Sequence, residues 1–389
     1  MTRHGKDSEI KHYQLGDFEL QSGEILPAAY IAYKTYGSPT NPCILYPTWY
    51  SGTIVEGNEW LISTPKHPRR GLDPERYFIV VPAIFGNGES TSPSNTTGPK
   101  GGVNMPKTTV YDNVRAQHQL LTEGLGITTD GRKIAVLGWS MGAGQAFQWA
   151  SQYPSLVKLA VPFCGSARTS FHNWVFLEAV KGAILADTEG YRGGRYMEER
   201  GQQPLVGLKA LGRVYAGWGF SQAFYREKGF EKYYGIFGVE QVMVEFWEKW
   251  STSKDANNML HMLWTWQHGD ISAQPLYAGK SLLAEPENKN GRLSHRGLGR
   301  PGAGSEQDEE AFKRALQGIE AKVLIMPCRN DLYFPPEDSQ IEKEYMGKNG
   351  EVKVIESIWG HWAGGPGDSK EDAKLIDDSI HTFFNQNDF

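Results

Sequence analysis

The sequence predicts a doubly wound α/β fold: a mostly parallel central sheet with helices on both faces, and a helical insertion before the last strands. Three observations predict it. Short apolar runs alternate with helical patterns between residues 77 and 163 and again after 322. From about Phe171 to Asp270 strand runs are missing, and aromatics recur at helical spacing, as in Phe246, Trp247 and Trp250. A Gly-x-Ser-x-Gly string, Gly138 to Gly142, falls where a strand gives way to a helix.

The elements follow in order. Phe18 to Leu20, Ala29 to Tyr33 and Ile44 to Tyr46 are short strand-like stretches broken by Gly and Pro. Tyr77 to Val81 is a near-continuous apolar run, as expected of a strand buried on both faces. Gly86 to Met105 is rich in Gly, Ser, Pro and Asn and reads as a loop. Tyr111 to Leu125 has helical spacing, with Asp112 near its start. Ile134 to Leu137 is a strand, Met141 to Trp149 a helix and Leu159 to Phe163 a strand. After the insertion, Leu283 to Glu310 is Gly-, Pro- and charge-rich and reads as a long loop. Val323 to Met326 is then a strand, Pro336 to Tyr345 a helix, Val352 to Ile355 a strand and Lys370 to Phe384 a final amphipathic helix. The expected division is a core domain of residues 1–170 and 311–389 and a helical lid of 171–310, with a flexible segment at about 283–310.

Composition narrows the function. The chain has 389 residues, with 40 Lys+Arg against 45 Asp+Glu, a net charge of −5. That is no footprint for nucleic acid or an anionic membrane. No apolar run approaches the ~18 residues of a membrane span, and no apolar leader opens the chain, so a cytoplasmic protein is expected. Cys43, Cys164 and Cys328 are sparse and far apart, which argues against disulfides and a cysteine zinc site. No His-Glu-x-x-His pair exists; neither metal nor cofactor is expected.

The Gly-x-Ser-x-Gly string is weak alone, but its strand–turn–helix setting is that of a nucleophile elbow. Gly138 and Gly142 give room for a sharp turn, and Ser140 then stands at a helix N-terminus, where the Met141 N–H can meet an oxyanion. A serine needs a base, and the base an acid to orient it. Asp331 follows the strand through Met326 and His361 follows the strand through Ile355, in the chain order Ser, Asp, His. His118, His261, His268 and Asp338 read as structural or surface residues, and His172 as a weaker pocket candidate. The second oxyanion donor is expected from the loop Pro47 to Gly52, with Trp49 the best candidate and Tyr50 a pocket wall.

At these residues the chain resembles the homoserine O-acetyltransferase family of α/β-hydrolases. The resemblance runs from Ala32-Tyr33-Lys34-Thr35-Tyr36-Gly37 through Leu72 to Phe78, Asn113 to Gln117, the Ser140 elbow and Asp255 to Asn258, and on to Asp331-Leu332-Tyr333-Phe334-Pro335 and Gly360-His361. It implies an α/β-hydrolase fold with a helical lid, a Ser140 that is acylated and deacylated, and a homodimer. The departures bear on substrate. The family follows its histidine with an Asp that faces the substrate amine; here that position is Trp362. The nearest match to the family's lid arginine is Arg213. Trp139 stands where a small residue is usual. Trp49, Trp139, Trp359 and Trp362 flank the site and suggest an aromatic pocket, with Trp359 expected toward the core. Homoserine is therefore not the expected substrate. The reading is a serine hydrolase acting on an ester or thioester of a largely apolar small molecule. The alternatives are an O-acyltransferase that moves an acyl group from acetyl-CoA to a hydrophobic alcohol and, more remotely, a non-catalytic binding protein on the same scaffold.

Overall fold

The computed structural model describes residues 9–389 apart from 66, 69, 128–130, 132, 279–305 and 366–368. Eight strands form one sheet in the order β1-β2-β4-β3-β5-β6-β7-β8. They are β1 (Lys11–Glu19), β2 (Ile25–Tyr36), β3 (Cys43–Leu45), β4 (Phe78–Pro82), β5 (Ile134–Trp139), β6 (Val157–Phe163), β7 (Lys322–Ile325) and β8 (Gly350–Val352). β1 and β2 pair antiparallel, β2 joins β4 antiparallel, and every later pairing is parallel.

The central strands are apolar throughout because helices cover both faces. Side chains alternate between two cores. Ile134 and Val136 of β5 join Phe147 and Trp149 of one core, whereas Ala135 and Leu137 join the other. On the first face lie α1 (Val110–Gln119), α2 (Met141–Gln152) and α6 (Glu306–Gln317). α1 starts at a reciprocal cap: Thr109 Oγ1 accepts from the Asp112 N–H, and the Asp112 carboxylate accepts from the Thr109 N–H at 2.9 Å.

Between β6 and β7, neighbours in the sheet, the chain leaves for the insertion. Its main helices are α3 (Phe171–Leu185), α4 (Leu205–Ala216), the adjoining runs Val242–Glu248 and Lys249–Thr252, and α5 (Ala256–Gln267). Their buried aromatics join the second core, together with α8 (Lys370–Gln386). Among the described residues no helix is long and apolar enough to cross a membrane. Cys43, Cys164 and Cys328 are buried free thiols.

Two expectations are corrected. The proposed loop 283–310 lies outside the described residues up to 305, but 306–310 is the first part of α6, whose Phe312 and Leu316 are anchored in the core. The last strand is Gly350–Val352 and not Val352–Ile355: Ile355 makes only a single bridge to Cys328, as the chain turns from the sheet towards the loop carrying His361.

Candidate active site

β5 delivers Ser140 onto the N-terminus of α2 with φ +58° and ψ −123°, a conformation that costs an L-residue energy and turns the side chain up from the sheet edge. The turn is possible because its neighbours are small. A Cβ on Gly138 would overlap the Gly142 carbonyl, and one on Gly165 would collide with Ala143 and with the Ser140 carbonyl. The Ser140 N–H is fixed to the Phe163 carbonyl at 3.1 Å.

Three loops at this edge bring their side chains together. His361 Nε2 lies 2.9 Å from Ser140 Oγ, and His361 Nδ1 lies 2.8 Å from Asp331 Oδ2. A carboxylate only accepts, so Nδ1 carries the proton and Nε2 accepts from the serine hydroxyl. The other Asp331 oxygen accepts the Tyr333 and Phe334 N–H groups at 2.8 and 3.3 Å. All three residues are buried. In this geometry Nε2 can take the serine proton as Oγ attacks an electrophile.

Trp139, expected as a pocket wall, also holds the imidazole. Its Nε1–H donates to the His361 carbonyl at 3.1 Å, and its ring stacks on His361 at 4.7 Å; Tyr333 meets the same imidazole edge-on at 4.5 Å. Trp49 stands edge-on to Trp139 at 4.4 Å and donates its indole N–H to the Gly57 carbonyl. The Trp49 and Met141 main-chain N–H groups have no partner among the described hydrogen bonds, and both residues border Ser140.

Ser140, His361, Trp49, Tyr50, Trp139 and Trp362 line one cavity of about 30 Å³. The insertion adds Tyr215, Trp247, Trp250 and Trp266, and Tyr333 completes the wall. Sequence reasoning missed these five. Tyr333 could have been suspected from its place two residues after Asp331; the others sit in helices rich in aromatics, with nothing local to single them out. None of the lining side chains is Asp, Glu, Lys or Arg.

Arg213 is not brought to this cavity. It points to solvent, with Nε on Glu248 at 2.7 Å and Nη2 on Glu240 at 3.1 Å, and those carboxylates raise its pKa further. Tyr215 takes the inward place because two residues along a helix are about 200° apart. Trp359 faces the core against Phe224 and Tyr233. His172 is exposed and packs on Trp218. Burial lowers the pKa of His118, drives His268 down to about 4 and holds His261 well below the usual histidine range. Asp338 is half-buried on α7 (Pro336–Met346), away from this cavity. Among the described residues no group of three or more His, Cys, Asp or Glu could hold a metal ion.

Residues 68–203 match the sequence family of the alpha/beta hydrolase fold. An ethyl acetate hydrolase from Pseudomonas veronii is 32% identical over 350 residues, covering 89% of this chain and 87% of its own. A homoserine O-acetyltransferase from Geobacter sulfurreducens is 25% identical over 370 residues, covering 89% of each chain. The crystal structure of an acetylester hydrolase from Corynebacterium glutamicum superposes with a TM-score of 0.81 at 29% identity, covering 97% of this chain and 96% of the other.

Proposed function

The chain belongs to the homoserine O-acetyltransferase family of α/β-hydrolases as a divergent member, and we propose from that premise that it is a serine esterase hydrolysing small, uncharged esters of short acids. The observation that carries this reading is the cavity that Ser140 shares with His361: it is walled by aromatic rings, and no Asp, Glu, Lys or Arg side chain lines it, whereas a second cavity at Ser140, without His361, is lined by Asp270. Desolvating an ammonium or a carboxylate there would cost several kcal/mol with no partner to offset it. A space of about 30 Å³, where ~10–15 Å³ admits one water, suits an acetyl group better than a long chain. Relatives named as ethyl acetate hydrolase and acetylester hydrolase point the same way.

The mechanism then assigns roles. Ser140 Oγ attacks the ester carbonyl while His361 Nε2 takes its proton, and the developing imidazolium is stabilised by Asp331. The oxyanion takes the Met141 N–H at the head of α2 and the Trp49 N–H. Collapse breaks the bond to the alkoxy oxygen, which leaves with the proton from His361. Water enters and gives its proton to His361 as its oxygen bonds to the acyl carbon; the bond to Ser140 Oγ then breaks, Oγ takes the proton back from His361, and the acid leaves. The insertion helices serve as a lid whose aromatic face keeps the site dry, and kinship with the acetyltransferases implies a homodimer. O-acyl transfer from acetyl-CoA to a hydrophobic alcohol would use the same residues, and only the relatives named as homoserine O-acetyltransferases speak for it.

Intact-protein mass spectrometry separates the two, with Ser140→Ala as control. A short-chain acetate ester should give free acetate and at most a transient adduct on the wild type, and neither on the variant. A stable acetyl adduct formed from acetyl-CoA, without acetate release, would overturn the esterase reading in favour of acyl transfer.

A further inference from the structure

The hydroxyls of Tyr50, Tyr215 and Tyr333 are all buried; that of Tyr333 has no hydrogen-bond partner, and those of Tyr50 and Tyr215 have none beyond one another. All three residues line the cavity that Ser140 and His361 open onto. Tyr50 and Tyr215 stack with ring centroids 5.9 Å apart and planes 6° from parallel, and their hydroxyls lie within reach of one another. A bond between those two would use one O–H and leave the other free. Tyr333 packs on Tyr215 at 6.4 Å, and the three hydroxyls are close enough that ionising one would push up the pKa of another. Burial raises all three above the usual phenol value, so each keeps its proton and remains a donor.

A buried, unpaired O–H donor is costly, and at least two in one cavity need a reason. A phenylalanine at any of these places would fill the same wall without that cost. The chemistry that meets phenol O–H groups is an oxygen acceptor, and a charged acceptor is disfavoured because no cationic side chain lines the cavity. We propose that the ester this enzyme is built for carries a second, uncharged oxygen, such as a hydroxyl or a carbonyl, that Tyr50, Tyr215 and Tyr333 hold. This rests on the esterase reading and narrows its substrate class from plain alkyl esters to oxygenated ones.

The test compares kcat/KM within isosteric pairs. In the alcohol-side arm 2-hydroxyethyl acetate is set against propyl acetate; in the acyl-side arm ethyl 2-hydroxypropanoate is set against ethyl 2-methylpropanoate. The oxygenated member should be favoured about tenfold or more in one arm, and that arm says which side of the ester meets the phenols. The preference should fall towards one in Tyr215→Phe and in Tyr50→Phe. Because the ratio is taken within one variant, partial misfolding does not enter it. Turnover of every ester with ratios near one in both arms overturns this inference and leaves the esterase reading standing; it is the result expected if water alone satisfies the phenols. Ratios that both Phe variants leave unchanged also overturn it. No turnover of any ester, with no acyl adduct on Ser140, overturns the esterase reading and this inference with it.

Discussion

Replacing Glu342 by glutamine should make stability less dependent on pH. Glu342 lies on α7 and is 3% exposed. Its Oε1 accepts the Ala167 N–H at 2.6 Å, just after the loop that packs on Ser140, and its Oε2 has no partner. Burial, then Asp338 on the same helix, pushes its pKa up, while the Ala167 N–H and Arg168 pull it down; it settles at about 8 against an ordinary 4.5. Arg168 gives little help because it is already paired with Glu309 of α6 at 2.7 Å. The unfolded chain therefore releases this proton near pH 4.5, and the folded chain holds it until about pH 8. Between those values the folded state binds the extra proton, so stability falls as pH rises, by about 1.4 kcal/mol per pH unit. From 4.5 to about 8 that reaches about 5 kcal/mol for a site that does not relax. Glutamine keeps the acceptor for Ala167 and cannot ionise. Urea unfolding of both proteins from about pH 5 to about pH 9 is the assay. The variant's advantage should grow with pH and level off above about 8. A stability difference that is flat across this range would refute the reasoning.

Other predictions concern the site. Asp331→Asn should keep the fold and lower kcat by about 10⁴, because the imidazole loses the partner that fixes its tautomer; a loss below tenfold on a short ester would remove Asp331 from the mechanism. Gly138→Ala should prevent normal folding, since its Cβ would overlap the Gly142 carbonyl; a soluble variant with wild-type melting would contradict the elbow packing described. Trp362→Asp should not open the site to amino-alcohol acceptors, because Arg213 is held outside by Glu240 and Glu248; acetylation of homoserine by this variant would show that Arg213 can reach the pocket.

The sequence by itself determined the features that are local. Alternating apolar runs and helical patterns dictated the sheet and its flanking helices, and Gly138 and Gly142 marked the turn under Ser140 because only small residues fit there. The chain order Ser140, Asp331, His361 was readable because each follows a strand end, and parallel strands bring those ends to one edge. Tertiary structure alone decided what faces the cavity. Arg213 and Tyr215 lie two residues apart on one helix, and only the packing of α4 against the core turns the phenol inward and leaves the guanidinium to Glu240 and Glu248. Trp139 reads as one more pocket indole until its N–H is seen on the His361 carbonyl. Nothing local in the sequence singles out Glu342, and only the fold buries its carboxyl on the Ala167 N–H. In each case helix period and strand alternation set the spacing of side chains along an element. The rotation of that element against its neighbours, which sets burial and partners, comes from the summed packing of distant segments.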